Sequence, residues 1–155
     1  MDDPTDRELE ERLAAAPASA FEELWAAADD LADERSHGRW VGGEVVDTAV
    51  IDGVEQEVRQ MPYVERSAAL DRIHAALGGI GAIVPFDWSN WGGFVRYQTA
   101  GDVAFASVAD AVRLVTTFIR GDRFNEGLLV AAADDGRLAA AIVVIRRWRD
   151  AQGQP

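Results

Sequence analysis

At 155 residues and 48% hydrophobic content, the chain has apolar material for one compact domain and little room for a second. It has no cysteine, which excludes disulfides, thiolate zinc sites and cysteine nucleophiles, and only two histidines, His37 and His74, which excludes a histidine-rich metal centre. A net charge of −12 argues against a general nucleic-acid binder, because affinity for phosphate backbones comes from Lys and Arg.

The acidity is uneven: residues 1–35 carry 12 acidic and 3 basic side chains. All 15 basic residues are arginine, a bias that a GC-rich coding sequence and a soluble acidic surface explain without recourse to function. No apolar run reaches the roughly 20 residues that cross a bilayer, and "MDDPTDRELEER" is acidic where a secretory signal is basic and then apolar. A soluble, cytoplasmic protein is expected, with no membrane partner.

Thr5 with Glu8, and Ser19 with Glu22, fit the capping box of a helix start, and Pro17 separates the two helices they predict. In the second helix Phe21, Leu24, Trp25, Ala28 and Leu31 form one apolar stripe, with Glu22, Glu23, Asp29, Asp30 and Asp33 largely elsewhere. The first has only Leu9, Leu13 and alanines to bury and is expected to be loosely held. From Val45 the period becomes two, and Asp52-Gly53 suits a type I′ turn, so strands are expected at 45–51 and 54–60, ended by Pro62. Ser67 opens a helix through Leu70, Ile73, His74 and Leu77, with Gly78-Gly79 as its left-handed cap. "PFDWSNWGGFVRY" reads as an aromatic loop. Ser107 begins an almost wholly apolar helix, Asp122 caps another through Phe124, Leu128 and Ala131, and Gly136 separates that from a last helix carrying Leu138, Ile142, Ile145 and Trp148.

The expected fold is therefore mainly α (α+β), a compact helical domain of about six helices with one small antiparallel β-hairpin. Residues 1–35 read as an acidic helical N-terminal extension, 36–150 as a single globular domain, and 151–155 as a disordered tail.

Three segments carry a resemblance: "QMPYV" at 60–64, "VPFDWSNW" at 84–91 and "RLVTTFIRGDRFNEGLLVAAADDGRLAAAI" at 113–142. In this order, over roughly residues 38–150, the chain resembles the uncharacterised family called domain of unknown function 6508. The resemblance implies a residue constellation and no reaction. Relatives are expected often to carry cysteine where this chain has Asn125, so it implies no thiol chemistry here.

"RGDRFNEG", residues 120–127, admits two readings. Arg120 and Arg123 can fork onto Asp122, Glu126 or Asp87 as an ion network locking two helices, with Asp122 also capping the second. Alternatively the arginines cradle an anion or phosphate. Trp88 and Trp91 are packing residues by default, or with Asp87 the lining of a ligand pocket. His74 lies on an apolar face, where a satisfied core histidine and a general base look alike, and Tyr63 is a candidate for the same cavity. His37 reads as a solvated loop residue. No phosphate-binding glycine loop, nucleophile elbow or paired-carboxylate motif is present.

The function is unknown at this level. The leading expectation is a non-catalytic protein-interaction or accessory module whose acidic helices meet a partner with a basic surface. The alternative is an enzyme or sensor for a small anionic ligand, its pocket drawn from Tyr63, His74, Asp87, Trp88, Trp91, Arg120, Asp122, Arg123 and Glu126. No cofactor and no metal are expected.

Overall fold

A computed structural model describes residues 2–153. Met1, Gln154 and Pro155 lie outside the described residues, and with the last two goes the end of the tail expected at 151–155; of the rest, Ala151 still belongs to helix α8 and residues 152–153 form a turn.

Helix α1 spans Asp6–Ala14 and α2 Ala18–Asp33. Thr5 and Glu8 form the reciprocal capping box the sequence predicts. Ser19 does not cap α2: the helix starts one residue earlier behind Pro17, whose fixed φ suits a helix entrance, and Ser19 lies inside its first turn. Nor is α1 loosely held, for Leu9 and Leu13 are each 1% exposed.

Strands β1 (Gly38–Val41), β2 (Val45–Ile51), β3 (Val54–Arg59) and β4 (Tyr63–Arg66) form one folded-back ribbon in two tiers. The inner hairpin β2–β3 turns on Asp52 and Gly53, both at positive φ (51° and 77°), as the turn chemistry predicts. The outer pair β1–β4, in register Gly38 with Arg66 and Val41 with Tyr63, was not expected. Its strands have four residues each and too little alternation to stand out. Gly42 and Gly43 at positive φ, opposite Met61 and Pro62, break the ribbon between the tiers. The single expected hairpin is thus two small antiparallel sheets.

Helix α3 (Ala68–Gly79) is capped by Ser67, but Gly78 and Gly79 remain helical and the left-handed residue is Gly81, at φ 76°. The aromatic stretch ends in a one-turn helix, α4 (Gly93–Arg96), and a second, α5 (Ala100–Val103), follows it, both too short to show a period. Then follow α6 (Val108–Asp122), α7 (Leu128–Asp134) and α8 (Arg137–Ala151). Eight helices stand among the described residues, where the periodicity showed six.

Helix α6 is the hub, its residues from Leu114 to Ile119 all buried. It packs on α1, α7 and α8, while α2 lies along α3. Arg113 ties it to the N-terminal segment, reaching the Asp6 carboxylate at 2.8 Å and the Pro4 carbonyl at 2.9 Å. Thr116, fully buried, donates to the Ala82 carbonyl and accepts from Val84 N–H, pinning the strap after α3. Arg149 of α8 lies 4.2 Å from the ring centre of Phe21 on α2, and Arg146 lies 5.2 Å from that of Trp25. Leu9, Leu13, Phe21, Leu24, Trp25 and Leu31, all within residues 1–35, belong to the same buried cluster as the cores of α3, α6 and α8. No helix among the described residues is long and apolar enough to cross a membrane.

Candidate functional site

Trp88 and Phe124 stack, with centroids 5.8 Å apart and planes at 28°, so the "PFDWSNW" and "RGDRFNEG" segments meet. Gly121 lies beneath this contact and lets Leu128 close in, since a methyl there would stand 2.7 Å from the Leu128 side chain but at ordinary contact distance, 3.6 Å, from Trp88. Strand β4 joins them: the Glu126 carboxylate accepts the Val64 N–H at 2.7 Å.

At this junction carboxylates go to backbone amides. Asp122 Oδ1 accepts N–H bonds from Gly127 and Leu129, each at 3.0 Å, and so satisfies the first amides of α7 across a five-residue turn. Asp122 thus accepts amides of the next helix as predicted, but it ends α6, and the N-cap residue of α7 is Gly127: that helix begins at Leu128, leaving Phe124 in the turn and 82% exposed. Gly127, at φ 94°, supplies the left-handed residue that restarts the helix. Asp87 accepts from the Asn90 amide and the Ser89 hydroxyl, and these bonds, Asn90's foremost, hold it below the ordinary carboxylate range.

The expected ion network is therefore not formed. Among the described residues neither Arg120 nor Arg123 has an ion pair or a side-chain hydrogen bond, and Arg120 Nε is buried with no partner at all. Both line a cavity of about 430 Å³ with Arg66, His74, Asp122, Ile83 and Ile119. Arg66 extends from the end of β4 to Asp71 at 3.1 Å and to Asp122 Oδ2 at 4.0 Å. Its guanidinium also lies 3.3 Å from His74 Nδ1. Because a guanidinium only donates, Nδ1 is the acceptor and His74 carries its proton on Nε2. Burial, then the Arg66 charge, holds His74 below its usual 6.5 against the opposing pull of Asp71 and Asp122. At neutral pH the cavity thus presents three guanidinium groups and one uncharged imidazole, with a single carboxylate whose Oδ1 is already occupied.

Arg120 also lines a second cavity of about 260 Å³, beside Asp2, Asp3, Pro85, Phe86, Asp87 and Trp88. Of the candidates from sequence, His74, Arg120, Asp122 and Arg123 come together, and Asp87 and Trp88 lie on the far side of Arg120. Three stand apart. Trp91 packs edge-on to Phe86 at 5.9 Å and beside Tyr97 at 6.3 Å; Tyr63 is 43% exposed on β4; Glu126 serves the strand amide. Arg66 was missed, because only the turn from β4 into α3 brings it back over His74, and no spacing encodes that. His37 is half-buried, with Nδ1 3.3 Å from Glu34, rather than solvated. Between α2 and α8 lies a further cavity of about 370 Å³ lined by Trp25, Leu31, Ile142 and Val143, apolar but for His37, Asp29 and Arg146 at its edge. Among the described residues no group of His, Asp or Glu is arranged to hold a metal ion.

Searches of curated proteins and of solved structures return no match. A family profile does match, over residues 16–151, reaching further toward the N-terminus than the three motif segments. The match covers nearly the whole chain, α2 to α8 with every residue lining the arginine cavity, and the chain accordingly belongs to a family of unknown function (DUF6508).

Proposed function

We propose that the protein binds a small oxyanion-bearing molecule, a phosphate ester or a carboxylate, in the cavity of Arg66, Arg120 and Arg123. The observation that carries this reading is the buried, unpartnered Nε of Arg120 in a chain with 27 carboxylates and 15 arginines. A buried donor without an acceptor costs free energy, roughly 1–3 kcal/mol or more when charged, and a bound oxyanion removes that cost. The volume suits a metabolite. We attach no reaction to the site, whose lining holds no hydroxyl or thiol and whose histidine has its free ring nitrogen committed to Arg66.

The reading as an accessory module docking a basic partner rests on the outward carboxylates of α2. One of these, Asp30, is already committed to Arg72 of α3.

Inorganic phosphate, a sugar phosphate, a nucleoside monophosphate and a tricarboxylate, titrated while thermal midpoint and tryptophan fluorescence are followed, test the proposal. At least one is expected to raise the midpoint. Arg120→Ala should weaken that ligand about 10- to 100-fold, the worth of a lost charge-assisted hydrogen bond. The ligand-free variant should melt no lower than wild type, because Arg120 holds no other side chain. A panel without any shift, or a shift that Arg120→Ala leaves intact, overturns the reading.

A further inference from the structure

The β2–β3 hairpin touches the rest of the molecule so little that every residue of it is exposed except Ala49, which is intermediate. A lone two-stranded ribbon is marginal in water. This one is also amphipathic. Its register puts Ala49, Ile51, Val54 and Val58 on one face with Asp47 and Gln56, and Thr48, Val50, Glu55 and Glu57 on the other. Ile51 is 51% exposed, Val54 59% and Val50 72%, and no other element of the chain covers them.

The two edges differ. Strand β3 carries Glu55, Glu57 and Arg59, the charges that keep an edge solitary, whereas β2 reads Val-Val-Asp-Thr-Ala-Val-Ile with a single charge. In a two-residue hairpin the flanking pair, here Ile51 and Val54, exchanges hydrogen bonds, and the direction alternates along the strand. The Thr48 N–H therefore points away from β3, and in the single chain it is held at 2.8 Å by the carboxylate of its own neighbour, Asp47. The free edge of β2 is thus formed, apolar, and closed only by a local contact.

We propose that β2 pairs with β2 of a second copy of this chain, antiparallel about a twofold axis at Thr48, giving a four-stranded sheet β3–β2–β2–β3. Charge selects this occupant and this edge. About Thr48, Asp47 faces Ala49 of the other copy, so no like charges oppose; Val46, where the β2–β3 register breaks, stays outside the regular pairing. The equivalent pairing of β3 about Gln56 sets Glu55 against Glu57. The outward N–H and C=O of Thr48 then bond their own counterparts across the axis, and the apolar faces of the two hairpins become one. A seven-residue edge buries little beside the ~800 Å² per partner of a standard interface, so the dimer is weak and concentration-dependent.

Sedimentation equilibrium of the full chain over a wide concentration range tests this. Wild type is expected to show a reversible monomer–dimer equilibrium. Thr48→Pro removes only an amide that faces away from β3 and is expected to leave a monomer with an unchanged melting transition, because the hairpin lies outside the core. Asp47→Ala, which removes both the competing acceptor and a charge beside the axis, should tighten the dimer several-fold. A wild type that stays monomeric throughout overturns the proposal, including the case in which the edge takes a strand from some other protein. So does a Thr48→Pro dimer of wild-type strength, or an Asp47→Ala that weakens association.

Discussion

Asp122 and Glu126 stand within a few residues of Arg120 and Arg123, yet they accept hydrogen bonds from backbone N–H groups instead. A backbone amide has one fixed direction and few possible acceptors, whereas a guanidinium at a cavity wall can turn to water or ligand. The carboxylates thus follow the more demanding donors, and the arginines remain for something else. His74 allows this to be tested by pH. Its folded pKa lies below 6.5, so in the window beneath that value the unfolded chain binds more protons, and stability falls as pH drops through it. In phosphate-free buffer the thermal midpoint of wild type is expected to decline on acidification from neutrality through this window. His74→Gln should stay flat until the carboxylates titrate. Parallel profiles would show that burial does not govern this imidazole.

At the scale of elements, long periodic helices and the Asp52-Gly53 turn were legible because each is fixed by its own residues. Ser67 and Ser107 cap as their spacing says. What escaped was set by partners distant in sequence: β1 and β4 exist through each other, and α4 and α5 have one turn each. The site divides the same way. His74, Arg120, Asp122 and Arg123 were named from local pattern, but Arg66 enters the cavity only through the path of the chain, and Tyr63 and Trp91 are kept out of it by that path. The α6–α7 turn depends on one side chain. Asp122→Ala leaves two amides without an acceptor, and a loss of about 1–3 kcal/mol is expected, roughly 2–4 °C for each kcal/mol in a chain of this length. Asp122→Asn, which keeps an acceptor oxygen, should recover most of it. An Asp122→Ala midpoint equal to wild type would mean that water serves those amides equally well.

Across the whole molecule the acidic first 35 residues are tied in by their apolar side, with their charge facing out. Leu9, Leu13, Phe21, Leu24, Trp25 and Leu31 are each at most 9% exposed. At about 1.5–3 kcal/mol per buried side chain, their sum rivals the whole stability of an ordinary domain, about 5–15 kcal/mol. A chain beginning at residue 36 is accordingly expected to lack a cooperative melting transition. A sharp transition near that of wild type would instead make residues 36–150 a free-standing unit.

The contact of Arg149 with Phe21 bears on how the protein is made. Phe21 and Trp25 leave the ribosome well before the helix whose arginines cover them, which emerges only after more than a hundred further residues. Even once α3 has emerged, α2 has that helix to lie against but not α8, and its aromatic face stays open to chaperones or to other nascent chains. Closure of this face waits for α8, so a change that slows the docking of α8 should lower the yield of soluble protein more than it lowers the stability of the finished fold.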